Sequence, residues 1–280
     1  SQMTLIRNPN SWASNLVGFE KLLNYNGETP TITPVVLANQ VDYATHGFPP
    51  ATDREFVRRG FVVIRPPTYY GFGILPNYNK IPALRDKRAR QAIMYMISRP
   101  QMGPVVEGPG GIPNKYGTGF SDILVPQWLD SATIAKLNTY PYNPQKGMDI
   151  LKSIGWKKGS DGVWVTPDGQ KATWEILAET EYVDVSSCAT NFADQLAPFG
   201  FKLATRTVTY TQVQPLRFAG NFQLTATQWA SGDPHPHFSW FQDVEFYIPP
   251  NSSGSGSGFN TIQQTSAFGT VDLRKVIDQS

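Results

Sequence analysis

The 280-residue sequence has a single cysteine, Cys188, so no disulfide forms within the chain and no cysteine-rich zinc site can be built. A lone cysteine of this kind reads as a small buried hydrophobe rather than a reactive thiol. Charge is also scarce. Charged residues make up 16% and the formal net charge is +2, too weak a field to suggest nucleic acid or an anionic membrane as partner. Lysine and arginine are scattered, with short clusters only at Arg58-Arg59 and Arg85–Arg90, and the second is expected on the solvated face of a helix. No run of eighteen apolar residues occurs, which argues against a membrane-spanning helix. The N-terminus has no signal-peptide pattern, and Ser1-Gln2-Met3 reads as the start of a chain begun elsewhere. Glycine (24), proline (23) and aromatic residues (12%) are plentiful, which points to many loops and an aromatic-rich interior or cleft rather than disorder. The length suits one large or two ordinary domains.

Residues 1–80 read as strand and loop. Thr31–Val36 and Gly60–Arg65 carry β-branched runs that suit strands, a short helix ends near Asn39–Ala44, and Asp53–Arg59 suits one or two helical turns. Asp86–Ser98 predicts a helix with Ala89, Ile93, Met96 and Ile97 on one stripe, bounded by Pro82 and Pro100. The Gly- and Pro-rich stretch 103–120 is expected to be loop. Asn143-Pro144 opens a further helix, with Asn as cap and Pro at the first helical position, and Gly155 closes it. Gly162–Thr166 and Lys171–Ala178 read as strands around the turn Pro167-Asp168-Gly169. A helix over Val185–Leu196 ends at Gly200, and Phe201–Tyr210 and Phe222–Trp229 read as strands. Residues 143–229 therefore predict an α/β lobe with a mixed sheet. Ser252–Gly258 reads as a flexible surface loop or linker. Val271–Ser280 is a helical pattern without a cap and reads as a truncation.

Several segments, in order over residues 4–235, resemble the family 5 bacterial extracellular solute-binding proteins. They are Thr4–Trp12 (TLIRNPNSW), Asn39–Ala44 (NQVDYA), Leu84–Arg99 (LRDKRARQAIMYMISR), Tyr142–Lys146 (YNPQK), Leu151–Trp156 (LKSIGW), Asp161–Leu177 (DGVWVTPDGQKATWEIL), Ala193–Val208 and Trp229–Pro234. The resemblance implies an α/β fold of the two-lobed, periplasmic-binding-protein type (type II), closing on a ligand like a hinged trap. Relatives of this family are longer, so one lobe is expected to be incomplete here. Residues 1–85 would hold part of the first lobe and the hinge strands, and 86–280 the second α/β lobe, C-terminally truncated.

Asp233 is the first candidate for ligand contact. Peptide-binding relatives hold the ligand α-ammonium with an Asp in this loop, although here it falls four residues after the Trp rather than three. The competing role is a turn Asp ahead of Pro234. Trp229 and Trp240 flank the same loop and offer indole faces for stacking; packing at the strand end is the alternative. Glu179, Glu181 and Tyr182 follow the strand Trp174–Leu177, where some dipeptide binders carry an Arg for the ligand carboxylate; a solvated acidic loop is the competing reading. Residues 172–205 have no Arg or Lys except Lys202, which favours a neutral ligand such as an oligosaccharide, a cation, or a longer peptide held by backbone bonds. Tyr69, Tyr70 and Phe72 match the family's aromatic segment at a lobe-crossing strand. Asp233-Pro234-His235-Pro236-His237 invites a metal reading, but alternate prolines are expected to enforce extended backbone and splay the imidazoles, so no metal and no cofactor is assigned.

No G-x-S-x-G, P-loop or strand–G-x-G-x-x-G–helix pattern occurs, and Glu175, Glu179 and Glu181 are near in sequence without being opposed across a bond. The expectation is therefore a non-enzymatic, extracytoplasmic receptor of an ABC importer. It would act as a monomer, capture a peptide or oligosaccharide, and deliver it to the permease, touching the membrane only through an anchor or that permease. A surface or sensory binding module, or a carbohydrate-active hydrolase, is the alternative.

Overall fold

The computed structural model describes residues 2–27, 31–45, 48–66, 70–230, 232–246 and 256–279. Tyr69, His46 and Ser252–Ser255 lie outside the described residues. The chain opens with an antiparallel hairpin, β1 (Gln2–Ile6) and β2 (Lys21–Tyr25), in the register Gln2↔Tyr25 to Ile6↔Lys21. Every residue of both strands is exposed, including Met3, Leu5, Ile6, Leu22 and Leu23.

A small unit follows. Thr31–Val36, whose β-branched run suits a strand, instead folds into α1 (Ile32–Leu37). Ile32 and Val36 stand four apart and bury one face against Phe56, so tertiary packing overrides local propensity. Phe56 belongs to α2 (Asp53–Arg58) and meets Phe48 and Phe61 edge to face, at centroid distances of 5.1 and 6.0 Å. Gly60–Arg65 also departs from expectation. Val62 and Ile64 alternate outward as in a strand, but no ladder forms over 61–66 among the described residues. Arg65 fixes this segment by a two-bond pairing to Asp53, at 2.7 and 2.8 Å. Beyond it the chain passes Gly110, where a Cβ would lie 2.6 Å from the Pro66 carbonyl oxygen.

The body of the molecule starts at β3 (Gly71–Pro76). Next come α3 (Lys87–Met96) and α4 (Arg99–Glu107). Asp86 caps α3 by accepting from the Arg88 N–H. The stretch expected to be loop from residue 103 is helical through Glu107. Pro104 lies inside this helix, where it removes one backbone donor and crowds the Pro100 carbonyl, and Pro100 stands in the first turn of this helix rather than ending the one before. The Arg99 guanidinium ties the long connection down by donating to the carbonyls of Asn114, Thr139 and Tyr140. That connection holds α5 (Val125–Trp128) and α6 (Ser131–Ile134), packed on Phe120.

Helix α7 (Pro144–Ser153) is capped by Asn143 and closed by Gly155 at φ +88°. Strands β4 (Lys157–Lys158) and β5 (Trp164–Val165) then pair. The expected hairpin at Pro167-Asp168-Gly169 turns, but it separates after the single Val165↔Lys171 bridge, because β6 (Thr173–Glu179) enters a different sheet. Helix α8 (Val183–Leu196), β7 (Lys202–Val208), α9 (Tyr210–Phe218) and β8 (Leu224–Trp229) complete the α/β body.

The four-stranded sheet runs β3-β8-β6-β7, with β6 parallel to β7 and β8, and β3 antiparallel to β8. The main core gathers Ile81, Met96, Leu151, Trp156, Trp164 and Phe201 under α3, α7 and α8. Each such side chain contributes roughly 1.5–3 kcal/mol by leaving water. Cys188 is buried in α8, and burial pushes its thiol up to about 12. The chain continues with α10 (Pro236–Phe241), the pair β9 (Ile262–Thr265) and β10 (Gly269–Asp272), and α11 (Leu273–Asp278). Of the stretch expected to be a loose Ser/Gly loop, Gly256–Gly258 is packed. Ser257 is buried and its carbonyl accepts from the Tyr78 N–H, because a Cβ-free Gly256 can lie against the Arg217 carbonyl. No helix among the described residues is long and apolar enough to cross a membrane.

Arg217 of α9 joins three elements from a buried position. It donates to Glu179 at 2.9 Å, to the Thr225 hydroxyl at 3.0 Å and to the Ala226 carbonyl at 2.6 Å. Arg217→Met is expected to cost about 3–5 kcal/mol in denaturant unfolding, because it strands the Glu179 carboxylate. Adding Glu179→Gln to that variant should recover part of the loss.

Candidate functional site

Strand order decides where a site can form. From β6 the chain crosses by α8 to β7 on one side, then returns by α9 to β8 on the other. Right-handed crossovers running in opposite directions place the two helices on opposite faces. The side chains agree. Ile176, Ala178 and Ala226 lie with Val185, Ala189 and Ala193 of α8, while Leu177 lies with Val213 of α9 and Phe222. The carboxyl ends of β6 and β8 therefore flank a topological switch point, where an open α/β sheet leaves a crevice.

A cavity of about 1490 Å³ opens at that place. Its floor is Glu179 at the end of β6, Tyr182, Asp184 and Val185 at the start of α8, and Thr227 and Gln228 of β8. Tyr210, Gln214 and Arg217 of α9, with Tyr70, Phe72 and Glu107, form the sides. The facing wall is the small unit, through Val41, Phe48, Phe61, Val63, Ile64 and Arg65. Asp233, Phe238, Phe241 and Gln242 stand at the rim. The cavity is mostly apolar on the small-unit side and polar on the sheet side, as suits a solute that must be both packed and oriented.

The sheet side is electrostatically unusual. Burial raises the Glu107 carboxyl to about 7; nearby Asp184 pushes it the same way and Arg65 opposes. Burial also raises Glu179, against the pull of Arg217. The Tyr70 hydroxyl is raised by burial and by the charges of Glu107 and Asp184. Outside the lining, burial brings Asp243 up to about 6, and its Oδ1 accepts from the Ala230 N–H.

Of the residues singled out in the sequence, Tyr70, Tyr182 and Asp233 line the cavity together. Three do not. Glu181 is drawn away because its Oε2 accepts the Tyr210 N–H at 2.9 Å, in the first turn of α9. Trp240 packs edge to face on Phe120 and donates to the Thr118 carbonyl. Trp229 covers β3, where a Cβ on Gly71 would meet its Nε1 at 2.7 Å. Glu107, Asp184, Tyr210, Gln214 and Arg217 also line the cavity and were not among the residues expected there from the sequence. Asp184 and Tyr210 sit in the first turns of helices leaving β6 and β7, a signal that becomes usable once the strand order is known.

The histidine stretch does not run extended as expected. Pro236 occupies the first position of α10, where its missing N–H costs nothing, so the backbone turns helical. The rings of His235 and His237 stand 6.4 Å apart, and His237 Nδ1 lies 3.0 Å from the Ile277 carbonyl. Among the described residues no three His, Cys, Asp or Glu side chains are grouped to hold a metal ion.

A family model, that of the bacterial extracellular solute-binding proteins, family 5 middle, matches residues 1–244. The chain belongs to this family. A probable ABC transporter-binding protein of Deinococcus radiodurans is 25% identical over 138 residues, 49% of this chain and 22% of that protein. A periplasmic oligopeptide-binding protein of Thermotoga maritima, solved with mannohexaose, superposes with a TM-score of 0.70 at 14% identity, over 99% of this chain and 52% of that one. The oligopeptide-binding protein AppA of Bacillus subtilis, solved with a nonapeptide, gives 0.65 at 16% identity, over 84% and 46%. The fold is thus that of the two-lobed periplasmic binding proteins, and the chain spans about half the length of these structures.

Titration of Glu107 gives a test. Its folded value of about 7 lies above the ordinary 4.5, so the protonated form stabilises the fold fully below 4.5 and that contribution is lost as pH rises through about 7. Glu107→Gln does not titrate. Its urea midpoint relative to wild type is expected to improve from about pH 4.5 to about pH 8, with Asp184 and Arg65 left in place. A constant difference across that range would show Glu107 to be solvated in solution.

Proposed function

We propose that the protein is the solute-binding receptor of an ABC importer. It captures a peptide or an oligosaccharide between two lobes and hands it to the permease, without chemistry on the solute. The observation that carries this reading is the large cleft at the β6/β8 switch point in a chain of this family. Mannohexaose and a nonapeptide in two structures of the same fold support the two solute classes.

In this reading residues 1–85 are part of the first lobe with its hinge strands, and 86–280 are most of the second. β3 acts as a hinge strand, since it pairs with β8 of the second lobe. Tyr69, Tyr70, Tyr182 and Asp233 contact the solute, and Trp229 and Trp240 hold the rim from behind. Closure brings the small unit down on the sheet ends and excludes water, which strengthens every polar contact made there. The receptor works outside the cytoplasm, in the periplasm or at the surface of a prokaryote, as a monomer that meets the permease.

A thermal-shift screen of the full-length protein against peptides and oligosaccharides tests the proposal. A ligand bound only by the native state, at a hundredfold excess over Kd, adds about 2.7 kcal/mol and should raise Tm by a few degrees. Tyr182→Ala should abolish that rise. Trp240→Ala should lower the starting Tm yet keep the rise. A solute converted to product, or no rise with either class, would overturn the receptor reading.

A further inference from the structure

The sheet side of the cavity is a wall of acceptors. Among the described residues, six carboxylates and two guanidiniums line the cavity, in a chain whose overall charge is +2. Both guanidiniums are already paired, Arg65 with Asp53 at 2.7 Å and Arg217 with Glu179 at 2.9 Å. The local excess is therefore negative while the whole molecule is weakly positive, and a charged solute entering here meets a field of the opposite sign to the chain average.

Three buried oxygens of this wall have no hydrogen-bond partner among the described residues: Glu107 Oε1, Glu179 Oε2 and Gln214 Oε1. All three are acceptors. Glu179 is only 4% exposed, and its other oxygen is held by Arg217, so Oε2 cannot turn to bulk water without breaking a buried ion pair. A buried acceptor left unmatched costs about 1–3 kcal/mol, more when it is charged. A solute that brings donors removes that cost, and one that brings a positive charge also relieves the repulsion between the carboxylates.

We propose that the solute carries an ammonium or guanidinium group, and that this group sits at the carboxyl end of β6 between Glu179, Glu107 and Asp184, with Gln214 as a further acceptor. The proposal rests on the receptor reading above and concerns a place other than Asp233 at the rim. A bare metal ion fits poorly, because no three ligating side chains are grouped closely enough among the described residues. A planar or tetrahedral nitrogen cation, with several N–H donors spread over its own width, matches acceptors that stand apart. Burial raises the Glu107 carboxyl, and a nearby cation would offset that desolvation.

The test is calorimetric titration of the full-length protein with four probes. These are an end-blocked tripeptide with a central arginine, its glutamine counterpart, spermidine, and mannohexaose. At least one cationic probe is expected to bind about tenfold or more tightly than the glutamine peptide, the scale of one charge-assisted contact. Asp184→Asn and Glu107→Gln should each weaken that binding several-fold, and neither disturbs the Arg217 pair, so loss of folding does not confuse the result. The arginine peptide binding alone identifies a peptide side chain as the source of the cation, and spermidine binding alone a polyamine. If both cationic probes fail, or bind no better than the glutamine peptide, the cation assignment is overturned. If mannohexaose or the glutamine peptide binds in that case, and Tyr182→Ala abolishes the binding, the receptor reading survives without it.

Discussion

The Arg217 guanidinium sits where α9, β6 and β8 meet, and the rest of the cleft takes its shape from that meeting. Its donors go to Glu179, the Thr225 hydroxyl and the Ala226 carbonyl, and Thr225 in turn donates to the Leu177 carbonyl. A charge this deep is tolerable only because its surroundings are polar and fixed. The network holds the ends of two parallel strands in register on the face opposite α8. Without it nothing would keep Glu179 at the floor of the cavity rather than turned toward water. One Glu179 oxygen is thus held by the ion pair, and the other stays buried at the cavity without a hydrogen-bond partner among the described residues.

The two walls of the cleft differ in construction. The sheet side is backed by the main core, in which Ile81, Met96, Leu151, Ile176 and Leu196 are almost wholly enclosed. The opposite side is backed by a cluster whose buried members are Ile32, Val36 and Phe56 alone among the described residues. A thin core of this size yields more readily than a thick one. The small unit is therefore the softer of the two walls, and the charged wall the stiffer.

Much of the body could be read before any coordinates. Asp86 and Asn143 are caps, Gly155 and Gly200 take the left-handed backbone that ends a helix, and the apolar spacing of α3, α7 and α8 marks their buried faces. These are local signals. What escaped was non-local. Thr31–Val36 has the residues of a strand, but Phe56 offers it a helical face to bury. Gly256–Gly258 has the composition of a linker, yet it is held by Tyr78 and by its closeness to Arg217. Other lining residues were hidden for the same reason. Glu107 lies far in sequence from Glu179, and only the packed fold brings the end of α4 and the end of β6 to one cavity. Tyr182 and Asp233 were visible because the family resemblance marks that strand end and that loop.

The contact between Pro66 and the glycine turn 108–111 has a mechanical meaning. At Gly110 backbone meets backbone, since even a methyl there would strike the Pro66 carbonyl. Such close approach fixes the spacing between the end of the small unit and the turn that follows α4. Bulk introduced at Gly110 would therefore push on Arg65 and Pro66, and through them on the lining of the cavity itself.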